Sequence, residues 1–182
     1  EGHVCELDLM LEEYYEALGL YDKYLTYRPD DESALLGRAE LLLRMGRLDE
    51  SIEQYRAAAD RWPESAMSLN ALGYTLADRT DQYREAEKLI RKALEFDPDS
   101  AAIIDSLGWV LFKQGEYEAA LAELRRAYEM LDDHEVAAHI VETLVALERH
   151  DEALEALVDA ESRHTDSQLL QDVRDRLFPE TD

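Results

Sequence analysis

The stretch Leu69 to Pro98, LNALGYTLADRTDQYREAEKLIRKALEFDP, decides the fold. Leu69, Leu72 and Leu76 recur at helical spacing, and beyond Thr80-Asp81-Gln82 so do Ala86, Leu89, Ile90 and Ala93. Apolar residues three and four apart share one face of a 3.6-residue helix, so the stretch predicts two helices joined by a turn. Pro98 then closes the second helix. The pattern extends in both directions. Pro29, Pro63 and Pro98 are 34 and 35 residues apart, and Ala17, Ser51, Ala86, Ala120 and Ala153 step by 34, 35, 34 and 33. Tyr24, Ala58, Ala93, Ala127 and Ala160 step identically, and Ala39, Gly73, Gly108 and Val141 form a third ladder. A fixed period of this length is the signature of a repeat architecture.

Each unit is a helical hairpin that cannot bury both of its apolar faces alone, so the units must stack in sequence. Gly46 and Gly115 stand where the first helix reverses, a place for positive φ. Asp31, Ser65, Ser100 and Asp133 precede a first helix, where a side-chain oxygen accepts from free N–H groups. Gly73, Gly108 and Ala39 are small so that the second helix of the same unit approaches closely. Tyr83 and Tyr117 fill the space between hairpins.

The units fall at 1–31, 32–65, 66–100, 101–133 and 134–167, with a capping helix at 168–178 whose Leu169, Leu170, Val173 and Leu177 face the last hairpin. The first unit is partial or degenerate: its first helix would begin before Glu1, and Asp8 falls at an apolar position. The extra residue near Thr80-Asp81-Gln82 lengthens one turn. The fifth unit departs by placing Val141 at the small position and Glu148 at the turn glycine. Cys5 reads as a buried helix residue, with a reactive thiol as the alternative, and residues 180–182 as a frayed end.

Among 182 residues, 43 Asp and Glu oppose 19 Lys and Arg, a net charge of −24. That excludes a nucleic-acid binder driven by phosphate contacts, which needs a basic face. One cysteine permits no intrachain disulfide. His134, Glu135 and His139 resemble a zinc-protease helix, but histidines five apart are rotated by about 140° on an α-helix and cannot share a metal. No phosphate loop, catalytic triad or cofactor motif is present, so the expectation is a non-enzymatic protein without cofactor or metal.

Leu72-Gly73, Leu76, Tyr83, Ala86, Ala93 and Pro98, repeated as Leu107-Gly108, Leu111, Gly115, Tyr117, Ala120 and Ala127, resemble the tetratricopeptide-repeat family, although Asp132 replaces the second proline. The resemblance covers roughly residues 12–167. It implies an all-α, right-handed superhelical solenoid of stacked antiparallel hairpins, with the first helices lining a concave groove that takes protein partners. The groove positions are then Asn70, Tyr74, Asp78, Asp105, Ser106, Trp109, Phe112, Lys113, His139 and Glu142, with Glu40 and Arg44 in the second unit. Tyr74 and Trp109, at equivalent sites, are expected to be neighbours and, with Phe112, to form an exposed ledge rimmed by acids for an apolar and basic segment. The alternative is that Trp109 and Phe112 pack as ordinary core. The family's clamp for a chaperone's terminal carboxylate is not matched, because Asn70 and Tyr74 replace its lysine and asparagine.

The runs Leu69–Thr80 and Asp105–Leu111 further resemble proteobacterial repeat lipoproteins. Some of these tether a carboxyl-terminal processing protease at the outer membrane and deliver cell-wall hydrolases to it. That resemblance implies a periplasmic adaptor, anchored through an N-terminal lipid absent from these residues. A second reading is a self-assembly module that forms homo-oligomers through Tyr14, Tyr15, Tyr21, Tyr24 and Tyr27. Those rings equally suit packing onto an upstream repeat.

Overall fold

The structure, a computed structural model, describes residues 2–179, with side chains from Glu12 onward. Asp8 and the environment of Cys5 therefore fall outside the described side chains, and residues 180–182 outside the described chain. Every regular element among them is a helix: α1 (Gly2–Tyr27), α2 (Glu32–Arg44), α3 (Leu48–Arg61), α4 (Ala66–Arg79), α5 (Tyr83–Phe96), α6 (Ala101–Lys113), α7 (Tyr117–Met130), α8 (His134–Ala146), α9 (His150–Arg163) and α10 (Gln168–Leu177).

The helix ends follow their local chemistry. Asp31, Ser65 and Asp133 accept from the N–H groups of Ala34 at 3.0 Å, Ser68 at 3.2 Å and Glu135 at 2.8 Å. Ser100 adopts the extended cap conformation, but its side chain makes no capping bond. Gly46 and Gly115 have φ of 75° and 82°, and Glu148 has φ of 61°. Arg47, Glu116 and Arg149 each donate a backbone bond of 2.9 Å to the carbonyl five residues back, the same helix-ending turn three times. The fifth unit thus keeps the turn with a non-glycine residue, at a strain of roughly 1–2 kcal/mol.

The extra residue of the third unit does not lengthen the turn. It extends α4 to 14 residues, where α2, α6 and α8 have 13. Asp81 takes the place of the turn glycine without positive φ, and Thr80 before it ends the helix: its hydroxyl donates to the Leu76 carbonyl at 2.6 Å and accepts from the Gln82 N–H at 3.1 Å. At Asp132 the missing proline is replaced by ties to the next unit, Arg163 Nη1 at 3.2 Å and His164 Nε2 at 3.0 Å. Tyr128, His164 and Arg163 together hold the Asp132 carboxyl down to about 2.

Within units the helices meet closely where the sequence is small. A Cβ on Gly73 would lie 2.7 Å from Ile90 Cγ1, and Ala86, Ile90 and Ala93 are fully buried. In the second unit Ser51 donates to the Ala39 carbonyl at 2.8 Å, so a buried hydroxyl serves the same contact. Between units α2, α4, α6 and α8 each touch the next, whereas α3, α5 and α7 touch only first helices, and α9 touches α8 and the capping helix α10. Closer spacing on one side curves the stack, with the first helices innermost.

The ends differ. α1 is one helix of 26 residues, not a hairpin, and runs straight through Glu12, the place that Gly46 and Gly115 hold in later units. α10 covers α8 and α9 through buried Leu170 and Val173. Leu169, expected on that face, lies at its edge and is exposed.

Candidate functional site: the concave face

The inner helices carry a polar and aromatic network instead of an open ledge. Trp109 on α6 is 6% exposed. Its indole stacks on Phe112 at 4.9 Å and on His139 of α8 at 4.2 Å, and Lys113 places its ammonium 4.7 Å from the ring centroid. Indole Nε1 donates to Asp78 Oδ1 of α4 at 3.2 Å. The expectation of an exposed aromatic ledge is corrected: neighbouring first helices approach so closely that rings and polar partners from α4, α6 and α8 enclose the indole. Phe112, half-buried, leans on Tyr117 at 5.5 Å. Tyr74 makes no ring contact with Trp109 among the described residues.

His139 and Asp105 are both buried, and Nδ1 meets Oδ1 at 2.9 Å. Burial pulls the imidazole pKa down, but the hydrogen bond and charge of Asp105, with Glu135 and Glu142 adding, leave it above 6.5. A folded-state pKa above the unfolded value means that the pair's stabilisation is fully present below pH 6.5 and is lost as pH rises through the folded value. An NMR titration of the His139 ring is therefore expected to show a midpoint above that of free histidine. A midpoint at or below 6.5 contradicts the pairing.

Tyr74 of α4 donates to Glu135 Oε1 of α8 at 2.8 Å, bridging two units across the inner face. Burial first, then Glu135, pushes its hydroxyl pKa well up, so the ring stays a neutral donor. Glu142 pairs with Arg176 of α10 at 2.5 Å, and Arg44 with Glu40 at 3.0 Å.

Beside the Tyr74 bridge lies a recess of about 310 Å³. Asn70, Tyr74, Asp105 and Ser106 line it with Tyr55, and Glu40, Asp133 and Glu135 add further carboxylates, with no lysine or arginine in the lining. The Oδ1 of Asn70 is buried without a hydrogen-bond partner. Of the ten expected groove residues, these four meet at the recess. Asp78, Trp109, Phe112, Lys113 and His139 form the network beside it, and Glu142 is engaged with α10. The sequence reading passed over the His139–Asp105 pair. Its signal was the separation of 34, one repeat period, which sets two residues at matching heights on adjacent first helices. Among the described residues no group of three or more His, Cys, Asp or Glu is placed to hold a metal, and no helix is long and apolar enough to cross a membrane.

A curved stack of hairpins with an inner recess defines a protein-interaction repeat scaffold. The chain belongs to the tetratricopeptide-repeat family, whose model matches residues 9–66 and 36–101; that of anaphase-promoting complex, cyclosome, subunit 3 matches residues 79–160. It is 46% identical over 114 residues to TPR repeat-containing protein PA4667 of Pseudomonas aeruginosa, covering 63% of this chain and 19% of that protein. Among solved structures, the thermophilic TPR protein TTC0263 of Thermus thermophilus superposes with a TM-score of 0.79 at 23% identity, over 96% of this chain and 94% of that one. A chain of the APC/C hetero-tetramer Cut9-Hcn1 gives 0.79 at 18%, over 93% of this chain and 33% of that one. The chain spans less than a fifth of the length of the curated relatives it matches.

Proposed function

We propose that the chain is a non-enzymatic adaptor whose concave face holds an extended or helical segment of a protein partner, apolar with basic residues. The observation that carries this is the recess itself: four carboxylates and two tyrosines line it and no base does. Rings supply contact area, while the acidic lining favours cationic segments and speeds encounter. A short labelled peptide alternating leucine and lysine is expected to bind, more weakly as salt rises, and at least about fivefold more weakly to Glu40→Gln/Glu135→Gln. Equal binding of a leucine–glutamate peptide, or indifference to the double substitution, contradicts the reading.

The narrower reading, an adaptor that presents cell-wall hydrolases to a carboxyl-terminal processing protease in the periplasm, rests on the likeness of Leu69–Thr80 and Asp105–Leu111 to proteobacterial repeat lipoproteins. Capture from a bacterial envelope extract tests it: that protease among the bound proteins, reduced by Glu40→Gln/Glu135→Gln, is the expected result, and its absence removes this reading.

A further inference from the structure

The recess beside Tyr74 offers acceptors and almost no donors. Its four hydroxyls are spent inside the wall: Tyr55 donates to Glu40 at 3.3 Å, Tyr74 to Glu135 at 2.8 Å, Thr75 to the Ala71 carbonyl at 2.8 Å and Ser106 to the Ala102 carbonyl at 2.9 Å. Among the described residues, the Asn70 amide nitrogen is the one lining side-chain donor without a bond. Acceptors are left over. Asn70 Oδ1 is buried without a partner, and Asp105, Asp133 and Glu135 each bond through one oxygen and leave the other unbonded. A buried acceptor is costly to leave without a donor, and a ligand rich in N–H groups removes that cost.

Asp105 ties the recess to a proton. It is 7% exposed and lines the wall, and its Oδ1 meets Nδ1 of His139, itself 6% exposed, at 2.9 Å. The charges around this imidazole are Glu135 and Glu142 on its own helix, the latter held by Arg176 of α10, with Asp105 and Lys113 of α6. At one remove stand Asp78 and Tyr74 of α4, bonded to Trp109 and Glu135. Among the described residues no side chain of α7 or α9 bonds to it. A proton on His139 offsets the Asp105 charge. Without that proton the pair presents an uncompensated carboxylate to the recess, where low dielectric strengthens its pull on a cation.

We propose that the recess seats one cationic side chain of the bound segment, a lysine or arginine, and that this cation and the proton on His139 compete for Asp105. The inference rests on the reading of the concave face as the partner site. Such competition is reciprocal: losing the proton strengthens binding, and binding drives the proton off. Because Asp105 holds the His139 pKa above 6.5, binding is weakest on the acid side of that midpoint and strengthens as pH rises through it. The other imidazole nearby, His134, turns its ring to His164 with centroids 5.8 Å apart.

The leucine–lysine peptide, titrated into the 182-residue chain between about pH 5.5 and 8.5, tests the competition. Affinity is expected to rise at least about threefold across the His139 midpoint, and saturating peptide is expected to move that midpoint, read from the ring in an NMR titration, to lower pH. His139→Gln, which places a neutral amide beside Asp105, should flatten the affinity profile. An equal rise in that variant would assign the effect to another group, such as His134, and overturn the proposal. The paired readings on the parent chain need no variant, so they stand even where His139→Gln folds poorly. Binding with a flat profile, or a midpoint that the peptide does not move, overturns the competition and leaves the partner site in place. Absence of binding at every pH removes both.

Discussion

Trp109→Ala is expected to destabilise the stack by about 3–5 kcal/mol, the range for deleting a buried aromatic. The indole lies between Phe112 and His139, and offset ring contacts add about 0.5–1.5 kcal/mol to simple burial. Its removal leaves Asp78 without the indole donor and opens a cavity between α4, α6 and α8. In a chain of this size about 2–4 °C of melting temperature accompanies each kcal/mol, so the loss is roughly 10 °C. Denaturant titration checks it. An exposed anchor would behave differently, with partner capture falling at constant stability. A change below about 1 kcal/mol would mean that the indole is not packed as described.

Gly108→Leu is expected to reach or exceed the about 1–3 kcal/mol typical of overpacking. A Cβ at Gly108 would sit 2.6 Å from Leu124 Cγ, 2.7 Å from its Cδ2 and 3.3 Å from the Ala120 carbonyl oxygen. Leu124 is fully buried and the Ala120 oxygen belongs to the backbone, so room for the new side chain requires α6 and α7 to move apart. The fifth unit shows the alternative solution. There Val141 takes this position, and α8 and α9 approach each other less closely along their length than α6 and α7 do. A melting curve for Gly108→Leu that overlays the parent would contradict the close approach.

Much of the fold was readable because a repeat states each local rule several times. The ladders through Ala86 and Ala93 gave the hairpins, and Gly46 and Gly115 gave the turns. Where the sequence broke a rule, the backbone often kept it: Glu148 adopts the left-handed turn because the Arg149–Leu144 hydrogen bond and the packing of α8 on α9 demand it. The extra residue before Tyr83 was misplaced by one element, since helix and turn absorb an insertion equally well on paper.

The site was less legible. Spacing puts Trp109 on the inner side of α6, but whether it faces solvent depends on how tightly α4 and α8 close around it. That curvature is set by relative helix spacing, to which no single position testifies. The Tyr74–Glu135 bridge, 61 residues apart, is invisible for the same reason. The His139–Asp105 pair was accessible, because residues one period apart meet on adjacent inner helices.

The central claim is that the concave wall is closed at its middle by Asp78, Trp109, His139 and Asp105, leaving the acidic recess beside Tyr74 as the open part. Acrylamide quenching of Trp109 fluorescence, with the other tryptophan removed as Trp62→Phe, tests it most directly. Blue-shifted emission with little quenching is the expected result. Red-shifted emission quenched as readily as free tryptophan would show an open indole and contradict the closed wall.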